Sequence, residues 1–208
     1  MSSRFVNRGL FLLLIAFVAF GAGCSSEPAK NAAAPAPAQP SSPQPSVPNR
    51  IAVIETSAGI IKVELLANEA PKTAENFKAL AERGLYNGTI FHRVISGFMI
   101  QGGDPRGDGT GGQTATGETL PNEINRSSSL YQGGYKRGLV AMANKGTPET
   151  GTSQFFIMHQ NYPLPPNYTV FGRVIEGIEV VDKIASAPNA GTPSNRPITP
   201  VTMRVSIQ

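Results

Sequence analysis

Tryptophan is absent, cysteine occurs once and histidine twice in 208 residues. A single thiol excludes any disulfide within the chain. Zinc takes three or four N or S ligands at recognisable spacing, so two His and one Cys leave no metal site to expect, and no cofactor is implied. Charge is also scarce, at 15% of residues. Three of the 18 basic residues (Arg4, Arg8, Lys30) and one of the 14 acidic ones (Glu27) precede Arg50, which leaves 15 against 13 from there on. That balance is too even for a nucleic-acid surface, where basic residues cluster on one face.

The long apolar run that a membrane span needs is missing too. Residues 9–20 are uninterruptedly apolar, but about 20 residues are required to cross a bilayer. With Arg4 and Arg8 before it and Gly21-Ala22-Gly23 after it, this run has the charged, apolar, small-residue order of an export signal over residues 1–23. Small residues before the lone Cys24 resemble the bacterial lipobox, with Gly21 where Leu is commonest. The resemblance implies cleavage before Cys24, a lipid on its sulfur, and an exported, membrane-anchored lipoprotein facing the periplasm or the cell exterior. A plain secretory signal is the alternative, and it leaves an exported thiol without a purpose.

Residues 25–49 hold seven Pro, six Ala and five Ser and no aromatic side chain. They cannot bury enough apolar area to offset the entropy of ordering, so 24–49 reads as a disordered tether. The 159 residues from Arg50 onward suffice for one domain.

Within 50–208, β-branched runs at 51–56 and 60–66 flank Ser57-Ala58-Gly59 and predict a hairpin. Pro71 opens a helix whose Ala74, Phe77, Leu80 and Ala81 share a face, and Gly84 stops it. Strand-like stretches follow at 89–95, 98–101, 138–143, 154–159, 169–174 and 201–207, with a second helix at 178–185. Many strands and two helices predict a mainly β domain, an antiparallel barrel or sandwich with helices at its ends. Two glycine-rich stretches imitate nucleotide motifs. Gly107–Gly112 fits G-x-G-x-x-G, but no helix pattern follows it; Gly146–Ser153 has phosphate-loop spacing with Thr152 in place of the Lys.

The segment Phe91-His-Arg-Val-Ile-Ser-Gly-Phe-Met-Ile-Gln101 places a cation among apolar side chains at strand spacing. Alone, its Arg reads as solvated and its Phe and Met as core. Together with Gly138–Asn144, Thr152–Ile157, Val170–Val174 and Pro71–Phe77, however, it closely resembles the cyclophilin family of peptidyl-prolyl isomerases, in the family's order over nearly all of 51–207.

That resemblance implies a closed eight-stranded antiparallel β-barrel capped by two helices, with the groove on its outer surface. It implies Arg93 as the catalytic arginine, with Gln101 and Phe98 beside it. Phe98, Met99, Phe156 and Leu164 would form the proline pocket; Gln101, Ala143, Asn144 and Gln154 would line the groove; His92 would support the site by packing. The implied partners are proline-containing polypeptides, with the membrane reached through Cys24. Pro163 and Tyr168 stand where cyclosporin-sensitive members carry Trp and His, which implies isomerisation with weaker cyclosporin binding. The alternative function is a non-catalytic module of the cell envelope that grips Pro-containing segments.

Overall fold

The computed structural model describes Arg50–Gln208 apart from Pro148. The export signal, Cys24 and the tether lie outside the described residues. The elements are β1 (Ile51–Thr56), β2 (Gly59–Leu65), α1 (Pro71–Glu82), β3 (Arg93–Ile95), β4 (Met99–Gly102), a 3-10 turn (Ser129–Tyr131), β5 (Leu139–Met142), β6 (Phe155–Met158), β7 (Val170–Glu176), α2 (Ile178–Ala185) and β8 (Met203–Ile207).

The hairpin and both helices form where local signals place them. Between β1 and β2, the Thr56 hydroxyl donates to Gly59 O (2.6 Å) and accepts from Ala58 N (3.1 Å), which closes the turn. Helix α1 starts at Pro71, whose missing N–H costs nothing there. The next two amides, Lys72 N and Thr73 N, donate to the Glu123 carboxylate at 3.0 and 2.8 Å. A distant acid thus caps a helix whose own N-cap, Ala70, has no side chain for the task. At the other end Gly84, at φ 73°, donates to Ala81 O while Leu85 N reaches Leu80 O. This is the two-bond left-handed termination that favours glycine.

All eight strands join one antiparallel sheet in the order β3-β4-β6-β5-β7-β2-β1-β8. It curls into a half-barrel, with α1 packed against β7 and β8 and α2 against β2, β3 and β4. The ladder has two ends, β3 and β8. Between them run the isolated bridge Ile90↔Thr202 and the bonds Phe91 N→Val201 O and Met203 N→Thr89 O, in place of a continuous strand pair. The strand expected over 89–95 therefore keeps regular pairing only in its last three residues. The chain at Ile90 also passes directly over β4: a Cβ on Gly102 would lie 2.9 Å from Ile90 O.

Alternation along the strands separates two apolar clusters. Facing inward, Ile100, Phe155 and Ile157 join Phe77, Tyr86, Phe91 and Phe171 in the main core. Phe155 meets Phe77, Tyr86 and Phe91 edge-on. Facing outward, Met99, Phe156 and Met158 join Leu66, Tyr131, Tyr135, Leu139, Ala141 and Val170.

Candidate active site

The pairing register assembles a row of side chains on the outer face. Arg93 of β3 stands opposite Gln101 of β4, Gln101 opposite Phe156 of β6, and Phe156 opposite Ala141 of β5. Directly opposed residues in a sheet share a face. One residue pair along, Ile95, Met99 and Met158 continue the apolar part of that surface.

Above this floor lies a cavity of about 110 Å³ lined by Arg93, Phe98, Met99, Gln101, Ala143, Asn144, Phe156, Leu164 and Tyr168. Its aromatic wall has fixed geometry. The Tyr168 ring meets Phe156 edge-on, with centroids 5.3 Å apart at 87°. The Tyr135 hydroxyl accepts from Tyr168 N (2.9 Å) and donates to Tyr168 O (2.7 Å), so the backbone at 168 is clamped. Burial pushes the Tyr135 phenol up, keeping it a donor. Across the cavity, Phe98 packs on Tyr162 at 4.4 Å. Leu164 reaches the cavity from a loop in which its N–H donates to Tyr162 O (2.8 Å).

The polar rim is a directed relay. Arg93 Nη1 is 3.4 Å from Gln101 Oε1, and Gln101 Nε2 donates to Gln154 Oε1 at 3.0 Å. Gln154 Nε2 in turn donates to Gly109 O (3.0 Å) and Gly111 O (2.8 Å). Each amide thus accepts on one side and donates on the other. The loop at its far end is folded around the fully buried Asp104, whose carboxylate accepts from the amides of Arg106, Asp108, Gly109 and Gly111. This is the structural use of the glycine run 107–112. Gly111 has no room for a Cβ beside Asp104, and Gly109 sits at φ 87°. Arg93 makes no ion pair among the described residues, so its charge faces the cavity uncompensated.

Two residues named from the sequence do not line this cavity. Gln154 lies behind Gln101 and lines an adjoining cavity of about 160 Å³ that shares Gln101, Ala143 and Asn144 with the first. His92 is buried beneath the 104–112 loop, against Gly109. Its Nδ1 has no partner among the described residues. Burial, chiefly, pulls its pKa below the ordinary imidazole value, partly opposed by Asp104, so it is held neutral. On the groove's side wall, Asn144 Nδ2 donates to Asn167 O (2.9 Å) and its Oδ1 accepts from Gly146 N (3.0 Å).

Sequence reasoning missed Tyr135, Tyr162 and Asp104, and the group of His159, Asp182 and Arg137 behind Phe98. Their positions carry no local motif. The nearest signal was Asp104 directly before a glycine-rich run, which marks a loop wrapped on a carboxylate.

The family model described as cyclophilin type peptidyl-prolyl cis-trans isomerase/CLD matches residues 51–206. Peptidyl-prolyl cis-trans isomerase CYP18-1 of Arabidopsis thaliana is 47% identical over 156 residues, covering 74% of this chain and 93% of that protein. Human peptidyl-prolyl cis-trans isomerase-like 3 is 46% identical over 136 residues, 65% of this chain and 81% of its own. The crystal structure of a cyclophilin type isomerase of Cryptosporidium parvum has a TM-score of 0.70 at 36% identity, covering 77% of this chain and 98% of that one. The same protein in the presence of the dipeptide Ala-Pro gives a TM-score of 0.69. With a half-barrel of eight antiparallel strands and a match running through nearly the whole described domain, this chain belongs to the cyclophilin-type peptidyl-prolyl cis-trans isomerases.

Proposed function

We propose that this isomerase works through Arg93 acting on a proline seated in the 110 Å³ cavity, and that it does so on exported or envelope proteins while tethered through Cys24. Amide resonance opposes rotation about an X-Pro bond with a barrier of roughly 18–20 kcal/mol, and no covalent bond has to break to cross it. As the amide twists, the prolyl nitrogen turns pyramidal and regains a lone pair. A guanidinium placed beside it donates to that lone pair, a bond unavailable in the planar ground state, and so binds the transition state differentially.

The single observation that carries this reading is that Arg93, on the row that also holds Phe156, pairs with no carboxylate among the described residues, its fork held by Gln101. Met99, Phe156, Leu164 and Tyr168 supply a slot for the pyrrolidine ring. Arg stays protonated at any relevant pH and donates from a rigid plane, which Lys does not. The low dielectric of a ring-filled slot strengthens that bond.

The test is isomerisation of a short X-Pro peptide by the full chain and by Arg93→Ala. Loss of one preorganised donor lowers kcat/KM by about a hundredfold to a thousandfold. Equal rates would instead leave a module that grips Pro-containing segments. The tether is tested by mass spectrometry of the membrane fraction. A mature protein starting at a lipidated Cys24 is expected, and an unmodified thiol there overturns it. Pro163, in the place of a Trp, supports weak cyclosporin binding, which titration of the ligand measures.

A further inference from the structure

Against the turn that carries Phe98 lies a cluster of titratable residues that the isomerisation chemistry does not use: buried His159 with the partly exposed Asp182 and Arg137. His159 immediately follows β6 and is 8% exposed. Its Nδ1 accepts from Gly97 N at 2.9 Å. Its own backbone N–H donates to Phe98 O, also at 2.9 Å, and Gln160 N points at the same carbonyl at 3.5 Å. Gly97 and Phe98 belong to the tight turn between β3 and β4, closed by Phe98 N→Ile95 O, with Gly97 in the left-handed region at φ 78°. One residue therefore holds both peptide units of the turn that carries a cavity wall.

We propose that His159 is a positioning residue for the proline pocket, setting Phe98 in place through the Gly97 amide; this rests on the isomerase reading of that pocket. Nδ1 accepts only from the neutral tautomer with its proton on Nε2. Nε2 lies 3.2 Å from Asp182 Oδ1 on α2, and a carboxylate there selects that tautomer. Asp182 is itself fixed by a two-pronged pair with Arg137, at 2.6 and 2.8 Å, and Arg137 Nη1 also donates to His159 O at 2.5 Å. Helix α2, the segment before β5 and the end of β6 thus converge on the turn.

The bond from Gly97 N to Nδ1 is what ties the turn to the imidazole. Without it the turn is released, and with it Phe98, which packs on Tyr162 and lines the cavity.

The experiment measures kcat and KM of the full chain on an X-Pro peptide for wild type, His159→Leu and His159→Asn. A lost hydrogen bond at the turn raises KM about five- to tenfold in His159→Leu, with kcat within about twofold of wild type. In His159→Asn the carboxamide oxygen replaces Nδ1 as acceptor, and KM returns to within about twofold of wild type. The inference is overturned by a KM unchanged in His159→Leu or by His159→Asn raising KM as much as Leu does. If His159→Leu does not fold, the Asn variant and amide hydrogen exchange decide: a Gly97 amide protected from exchange in wild type and in His159→Asn is expected, and a Gly97 amide that exchanges freely in wild type refutes the role. A wild-type chain that isomerises with KM indifferent to these changes refutes the positioning role alone, whereas a chain that does not isomerise refutes the reading beneath it.

Discussion

Phe155 and Phe156 are neighbours in sequence, both almost wholly buried, and belong to different halves of the molecule's physics. Phe155 points into the core between Phe77, Tyr86 and Phe91, where every side of the ring meets protein. Phe156 points outward, touches Tyr168 and Tyr135, and leaves one side to the cavity. The inner face of the sheet is committed to stability. The outer face spends part of its apolar surface on an open slot, and that surface is stabilised fully only when something occupies it.

The strongest way to break this contrast is to truncate each ring in turn. Phe155→Ala removes a core aromatic at a cost of about 3–5 kcal/mol, a large share of a small domain's total stability, so the variant is expected to unfold or aggregate. Phe156→Ala is expected to lose roughly half as much by urea denaturation, because one side of the ring already faces a void. Its kcat/KM falls about ten- to a hundredfold from the missing contact with the proline ring. Equal destabilisation of the two variants would show that the outer cluster is simply more core.

The polar rim sharpens the comparison, because it links the outer face to a loop instead of to the sheet. Gln154→Leu deprives Gln101 of its acceptor and leaves Gly109 O and Gly111 O without their donor. Stability is expected to fall by about 1–3 kcal/mol, and kcat by about tenfold, as Gln101 and with it Arg93 lose their set orientation. Unchanged kcat with lowered stability would mean that the relay supports only the loop.

Acid tests the same loop from beneath. Burial holds the folded-state pKa of His92 below its unfolded value of about 6.5, so the unfolded chain takes up the proton first. Stability is therefore full above about 6.5 and declines as pH drops from there toward the lowered folded value. Denaturation midpoints measured across that window should flatten in His92→Leu relative to wild type. A midpoint that rises on acidification would reverse the sign and refute the neutral assignment.

What was legible in the sequence follows the same division. The hairpin, α1 and α2 are set by local periodicity and by Pro71, Gly59 and Gly84, and they form within a residue or so of where those signals put them. Residues 89–92 were read as strand from their apolar pattern. The crossing over Gly102 that ends their regular pairing comes from the curl of the whole sheet, which no window of ten residues contains. Arg93 alone looked like any solvated cation; only several separated blocks taken together marked it. Leu164, in a Pro-rich loop with no periodicity, was placed by resemblance, and it does line the cavity. His159, Arg137 and Asp182 lie 22 to 45 residues apart and meet only through the packing of α2, so no spacing could announce them.

The smallest effect concerns Tyr168, on the aromatic wall of the cavity. The Tyr168 hydroxyl makes no hydrogen bond among the described residues; the bonds at that position belong to its backbone, and the ring contributes its edge-on contact with Phe156. If the outer face works as an apolar slot with a single cation at its rim, the hydroxyl contributes nothing that a bare ring does not. Tyr168→Phe is then expected to leave stability within about 0.5 kcal/mol and kcat/KM within about twofold. Tyr168→Ala, which removes the wall itself, lowers kcat/KM about tenfold in the same assay. A tenfold loss in the Phe variant would instead place a second polar group against the substrate, and the slot would have two donors at its rim.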